Sequence, residues 1–156
     1  MEINVLVDAD FKGHLEASWL QRLAEQILIA QEVSSSVELG LVIASQERVQ
    51  QLNRSYRGRD EPTDVLAFST RENRIDSLPF VQPPDGVLHL GEVIISYPQA
   101  VIQAGEHQHS IEREIAVLLI HGVLHLLGFE HNKPELEHQM RARETEILSY
   151  IWREES

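Results

Sequence analysis

The sequence predicts an α/β domain with a small mixed β-sheet of about four strands packed with about five helices. Three observations lead there. Short runs of alternating hydrophobicity and longer runs of helical periodicity follow one another along the chain. The chain has 156 residues, enough for a real core, because domains near this size bury roughly 70% of their unfolded surface. No repeat, linker or low-complexity segment divides it, so residues 1–156 are expected to form a single domain.

Residues 2–8 set Ile3, Val5 and Val7 against Glu2, Asn4 and Asp8, the pattern of a half-buried strand. Over 15–30, Leu15, Trp19, Leu20, Leu23, Ile27, Leu28 and Ala30 recur at helical spacing, with Trp19 as a core anchor. Ser34, Ser35 and Ser36 break that pattern, and Val37, Leu39, Leu41 and Ile43 alternate as a second strand. Ser45 is placed to cap a helix that carries Val49, Leu52 and Tyr56 inward and stops at Gly58. Pro62 and Thr63 lead into a third strand, residues 65–68, with Thr63 and Asp64 bonding backbone groups at its entrance.

Residues 71–86, with Pro79, Pro83, Pro84, Asp85 and Gly86, read as a long irregular connection of the kind that is usually functional or mobile. Residues 88–95 form a fourth strand, in which His89 is expected to be structural. Ser96 and Pro98 open the next helix. A break near 108–110, with His107 and His109 facing solvent, precedes a strongly apolar helix over 111–127. Pro134 opens the last helix, whose buried stripe is Leu136, Met140, Ile147 and Ile151. The order βαβαββ followed by three helices gives an α/β sandwich.

There is no cysteine, so a metal could be held only by histidines and carboxylates. The N-terminus lacks the marks of a signal peptide, and no apolar run approaches the ~20 residues of a membrane span. A cytoplasmic, soluble protein with no membrane partner is expected. The net charge of −12 argues against an indiscriminate nucleic-acid binder. Residues 45–76 nevertheless carry six arginines against six acids, with Arg54, Arg57 and Arg59 close together. That spot reads either as a solvated helix end, where cations are favoured, or as a small cationic patch for selective contact with a polyanion.

The chemistry concentrates in His121-Gly122-Val123-Leu124-His125-Leu126-Leu127-Gly128-Phe129-Glu130-His131. Two histidines four apart leave one helix face a turn apart, and Gly128 can end the helix so that His131 returns from the loop. Three imidazoles with a fourth position open are the donor set of a catalytic zinc site. The metal-bearing helix is therefore expected in the core. One Zn²⁺ per chain, on His121, His125 and His131, is the expectation.

This spacing is like that of the metzincin peptidases, except that Gly122 stands where those enzymes carry their general-base glutamate. The form His-Gly-x-Leu-His-Leu-x-Gly-Phe-Glu-His instead resembles the YbeY family of bacterial single-strand-specific endoribonucleases. Residues 52–68, Leu90-Gly91-Glu92-Val93-Ile94-Ile95-Ser96 and Glu144-Thr145-Glu146-Ile147 resemble its other signatures, so the likeness covers most of residues 50–148. Glu92 and Glu130 stand where the family more often has aspartate.

The resemblance implies metal-dependent hydrolysis of single-stranded RNA in maturation of the 16S rRNA 3′ end and in ribosome quality control. The small ribosomal subunit would be a partner, and DNA would not. It implies Arg57 as the residue that grips a phosphate. With Gly122 unable to move a proton, Glu92 and Glu130 are the candidate general bases, and the metal is expected to do most of the water activation. Two rival readings keep the metal: a metzincin-like metallopeptidase, and a non-catalytic ribosome-assembly factor with a structural ion.

Overall fold

Alternating hydrophobicity becomes alternating burial. In the computed structural model, which describes residues 1–33, 36–58, 63–69, 87–129 and 132–152, Ile3 and Val7 are buried along the first strand while Glu2, Asn4 and Leu6 are exposed. The elements run β1 (Glu2–Val7), a single 3-10 turn (Ala9–Phe11), α1 (Ala17–Ala30), β2 (Val37–Ala44), α2 (Gln46–Arg57), β3 (Val65–Ser69), β4 (Leu88–Ser96), α3 (Tyr97–His107), α4 (Ile111–Leu126) and α5 (Pro134–Ile151). This is the expected βαβαββααα order. The 3-10 turn was not anticipated, and Leu15 is buried just ahead of α1 rather than within it.

The sheet has the order β1-β2-β4-β3, with β1, β2 and β4 parallel and β3 antiparallel on the edge beside β4. Parallel neighbours need crossovers, and α1 supplies the one from β1 to β2. One sheet face carries Ile3, Val7, Leu39, Leu41, Ile43, Ala67, Val93 and Ile95 into the main core with residues of α1, α4 and α5. The other face has a smaller core of Ala44, Val49, Leu66 and Ile94, in which α2 covers one end of the sheet. No helix among the described residues is long and apolar enough to cross a membrane.

Caps sit where the sequence places them. Ser45, Ser96 and Ser110 each accept a hydrogen bond from the backbone N–H three residues on, satisfying a donor that the first helical turn leaves without a partner. Gly58 ends α2 in the left-handed conformation, φ 69°. In β4 the pairing with β2 slips so that Glu38 opposes His89 and Leu39 opposes Gly91. Gly91 has φ 130°, and a Cβ there would fall 2.0 Å from the Phe68 carbonyl oxygen. Only glycine fits that approach.

Tyr56 departs from expectation. It is 71% exposed, and its ring leans on Phe68 with centroids 5.2 Å apart. Val49 at the start of α2 lies over the sheet, whereas Tyr56 near its end meets only the edge strand β3, through Phe68. Trp19 is partly buried against the main core and Met140 fully buried in it, both as expected.

The centre of the packing is α4, which buries ten of its residues, among them Ile115, Leu119, Ile120, Val123 and Leu124. Gly122 lets it lie directly on the sheet: a Cβ at this position would come 2.7 Å from Val93 Cγ1 and 3.0 Å from Cγ2. Val93 is β-branched and on an interior strand, so it has little freedom to yield. Gly122→Ala is therefore expected to destabilise by about 1–2 kcal/mol, the overpacking outweighing alanine's better helix propensity. The melting temperature should fall by roughly 2–8 °C. In a Val93→Ala background the same substitution should cost distinctly less. Additive losses in the four-protein thermal cycle would refute the clash.

Candidate functional site

Along α4, Glu114, Leu118, His121 and His125 follow at spacings of four, three and four, which puts them on one stripe of the helix. His121 and His125 are both half-buried at the apolar end of that stripe. After them the chain reverses. Gly128 takes φ 103°, its N–H donates to the His125 carbonyl at 3.1 Å, and the Phe129 N–H donates to the Leu124 carbonyl at 3.0 Å. These two bonds are the glycine-dependent helix end expected from the sequence. His131 and Glu130, which follow, lie outside the described residues.

The partner of His121 comes from α5. Its Nδ1 lies 2.6 Å from Glu144 Oε1. In the neutral ring a protonated Nδ1 donating to this carboxylate leaves Nε2 as the nitrogen that carries a lone pair. The hydrogen bond to Glu144 raises the His121 pKa above its ordinary value; burial opposes this, and the charges of Glu144 and Asp64 add to it. A ring held in one orientation by a carboxylate, with its far nitrogen basic, is how proteins prepare a histidine for a metal.

Asp64, expected to be structural, does bond backbone: its Oδ1 accepts from the Val65 N–H at 2.8 Å. Its Oδ2 accepts from Gln103 Nε2 at 3.1 Å. The same residue also lines, with His121, Glu144, Glu106, His107 and Glu114, a cleft of about 410 Å³ between α3, α4 and the start of β3. The cleft is acidic.

Two other expectations are corrected. Glu92 does not join the histidines. Its neighbour Val93 faces Gly122 of α4, so Glu92 projects from the opposite side of the sheet, where it is exposed and lies across Gly40. There it shares a shallow depression with Asn4, Leu6, Glu38 and His89. His89 is structural as expected, with Nδ1 3.1 Å from Glu38 Oε1. His109 is not solvent-facing: its Nε2 contacts Glu114, a buried residue of α4, and His107, although exposed, reaches the same carboxylate with Nδ1 at 3.1 Å. The ligand-type atoms of His107, His109 and Glu114 lie within 4.8 Å of one another, so this cluster could hold a metal ion.

Arg57 is the last residue of α2, and its side chain lies outside the described part of the molecule. Of the nearby arginines, Arg48 is tied to Asp8 at 2.9 Å. The metallopeptidase reading loses its footing on α4. A glutamate in place of Gly122 would have to occupy the space that Val93 fills.

The family profile described as Endoribonuclease YbeY matches residues 7–151. A protein named Endoribonuclease YbeY from Dehalococcoides mccartyi is 48% identical over 155 residues, covering 97% of each chain. One of the same name from a Roseiflexus species is 41% identical over 147 residues, covering 94% of this chain and 90% of the relative. The solution structure of a Thermotoga maritima protein, 24% identical, shares the fold with a TM-score of 0.56 over 95% of this chain and 90% of that one. With nearly the whole chain matched and the paired histidines on its core helix, this protein belongs to the endoribonuclease YbeY family.

Proposed function

We propose that this member of the family cuts single-stranded RNA by metal-dependent hydrolysis, with one Zn²⁺ held by His121, His125 and His131. The proposed substrate is the 3′ end of small-subunit rRNA, met on the small ribosomal subunit in the cytoplasm. The observation that carries the reading is the His121–Glu144 hydrogen bond. It fixes an imidazole on a core helix whose other buried side chains are nearly all apolar. The donor set fits zinc: imidazole nitrogens are ligands of the right softness, and the chain has no thiolate to compete.

When bound there, a divalent ion supplies Lewis acidity to a phosphoryl oxygen and to an attacking water. The residues divide the remaining work. Glu144 holds the His121 ring in register from behind. Arg57 pairs with a phosphate and steadies the charge that develops on it, a task suited to a planar guanidinium. Gly122 can move no proton and Glu92 is on the wrong face, which leaves Glu130 as the carboxylate proposed for proton transfer. An acidic cleft repels a polyanion unless cations line it, so binding is selective for strands that reach both the ion and Arg57. Single strands fit such a cleft because their bases and backbone can splay, which a duplex prevents.

Three outcomes are expected. His121→Ala or His125→Ala should lose zinc by elemental analysis. Glu144→Ala should weaken zinc affinity by about 10–100-fold, and Glu144→Gln by less, because the amide oxygen still accepts from Nδ1. Equal affinity in Glu144→Ala and the parent would remove the orienting role. Arg57→Ala should reduce RNA cleavage while melting temperature and zinc content stay at parental values, and Arg57→Lys should restore only part of the rate. An unfolded Arg57→Ala protein would mark the residue as a helix end and nothing more. The deciding experiment gives zinc-loaded protein single-stranded RNA, double-stranded RNA and a peptide mixture. Cleavage of the first alone supports the proposal; cleavage of peptide alone, or of nothing, rejects it.

A further inference from the structure

The cluster at the α3–α4 elbow is built, and the function proposed above does not use it. The last turn of α3 closes with Gln108 in the left-handed conformation, φ 57° and ψ 41°. Glycine or asparagine is usual at such a position, and a residue with a long side chain there is uncommon. The turn is held by the Gln108 N–H donating to the Gly105 carbonyl at 3.3 Å and the His109 N–H donating to the Ala104 carbonyl at 3.0 Å. Its effect is to bring His107 and His109, on either side of Gln108, together on one flank. Their ring centroids are 5.4 Å apart and the rings stand edge to face.

Both rings converge on one atom. His107 Nδ1 lies 3.1 Å from Glu114 Oε2, and His109 Nε2 contacts the same oxygen. Glu114 is only 2% exposed, while His109 is 17% and His107 56% exposed at the side chain. A buried carboxylate is costly unless it meets positive charge. Its ion-pair partners among the described residues are these two imidazoles, with no lysine or arginine. A divalent cation supplies the charge, and the three ligand-type atoms lie within 4.8 Å of one another, so small side-chain rotations bring them onto one ion with bonds of about 2.0–2.1 Å. The exposed edge of His107 gives an ion a route in from solvent.

We propose that His107, His109 and Glu114 form a second transition-metal site, of the zinc class, distinct from that of His121 and His125. The two are not halves of one dinuclear centre. Glu114 and His121 are seven residues apart on α4, about 10.5 Å at 1.5 Å per residue, whereas cooperating metal pairs lie about 3.5–4 Å apart. Both sites border the same cleft, so the second ion sits at its far end and pins the end of α3 to α4. The count of one ion per chain then applies to the His121 site alone.

The full chain, stripped with a chelator and titrated with zinc, tests this through binding stoichiometry by calorimetry and elemental analysis. The parent should take up two equivalents. His109→Ala should take up one, and so should Glu114→Gln. A His121→Ala/His125→Ala protein should also retain one, and its melting temperature should rise on adding zinc. Adding His109→Ala to that protein should abolish both the uptake and the rise. A folded His109→Ala protein that binds as many equivalents as the parent overturns the proposal. If His121→Ala/His125→Ala loses nothing while His109→Ala loses its equivalent, the elbow site stands and the proposed catalytic site falls.

Discussion

The position of α4 against the sheet is the constraint on which the rest of the molecule depends. The helix approaches β4 closely because Gly122 presents no side chain to Val93. That contact fixes the rotation and depth of α4, and with them the direction in which His121 and His125 leave it. Around the contact, Leu119, Ile120, Val123 and Leu124 are fully buried, so the helix cannot roll without opening a well-packed core. Precision at the candidate site thus comes from the apolar side of the helix.

The same contact separates this site from the peptidases whose histidine spacing it shares. A glutamate after the first histidine would serve as a base there, but here the residue points into the sheet. The carboxylates near His121 arrive instead from other elements: Glu144 from α5 and Asp64 from the start of β3. Glu144 is occupied with the back of the imidazole and Asp64 with Gln103 and the Val65 N–H. Acidic groups surround the cleft, yet these two act on the protein itself. That leaves charge stabilisation of an anionic substrate to cations, which is the chemistry a bound metal ion and a guanidinium provide.

Much of the fold was legible because one periodicity dominated each segment. Serine caps and glycine stops marked helix ends to within a residue or two, and alternation marked β1 and β2 on both faces. Legibility failed where a property depended on what lay beneath or across. Tyr56 has the spacing of an inward residue, but β3 is the edge strand and the sheet ends near it. Glu92 sits in a run with apolar residues on both sides of the strand, because β4 is interior and covered on both faces over Val93–Ile95, so alternation could not assign it a side. The pairing shift near Leu90 obscured it further. Of the site, the His121–His125 pair could be read from spacing alone. Glu144 was visible only as part of a family signature, since its partner lies 23 positions away on another helix.

Glu114 shows most directly why composition and spacing did not suffice. In sequence it is one of two acids in the first turn of α4, where a carboxylate ordinarily interacts with the helix dipole in water. Its burial follows from the left-handed Gln108, which folds His107 and His109 back over it. No residue in that stretch announces such a turn, because glutamine rarely adopts it. A conformation of this kind is held by its surroundings, and uncommon backbone held in place tends to mark positions where a protein needs side chains brought together. At this elbow the side chains brought together are two imidazoles and a carboxylate, donors that one metal ion can bridge.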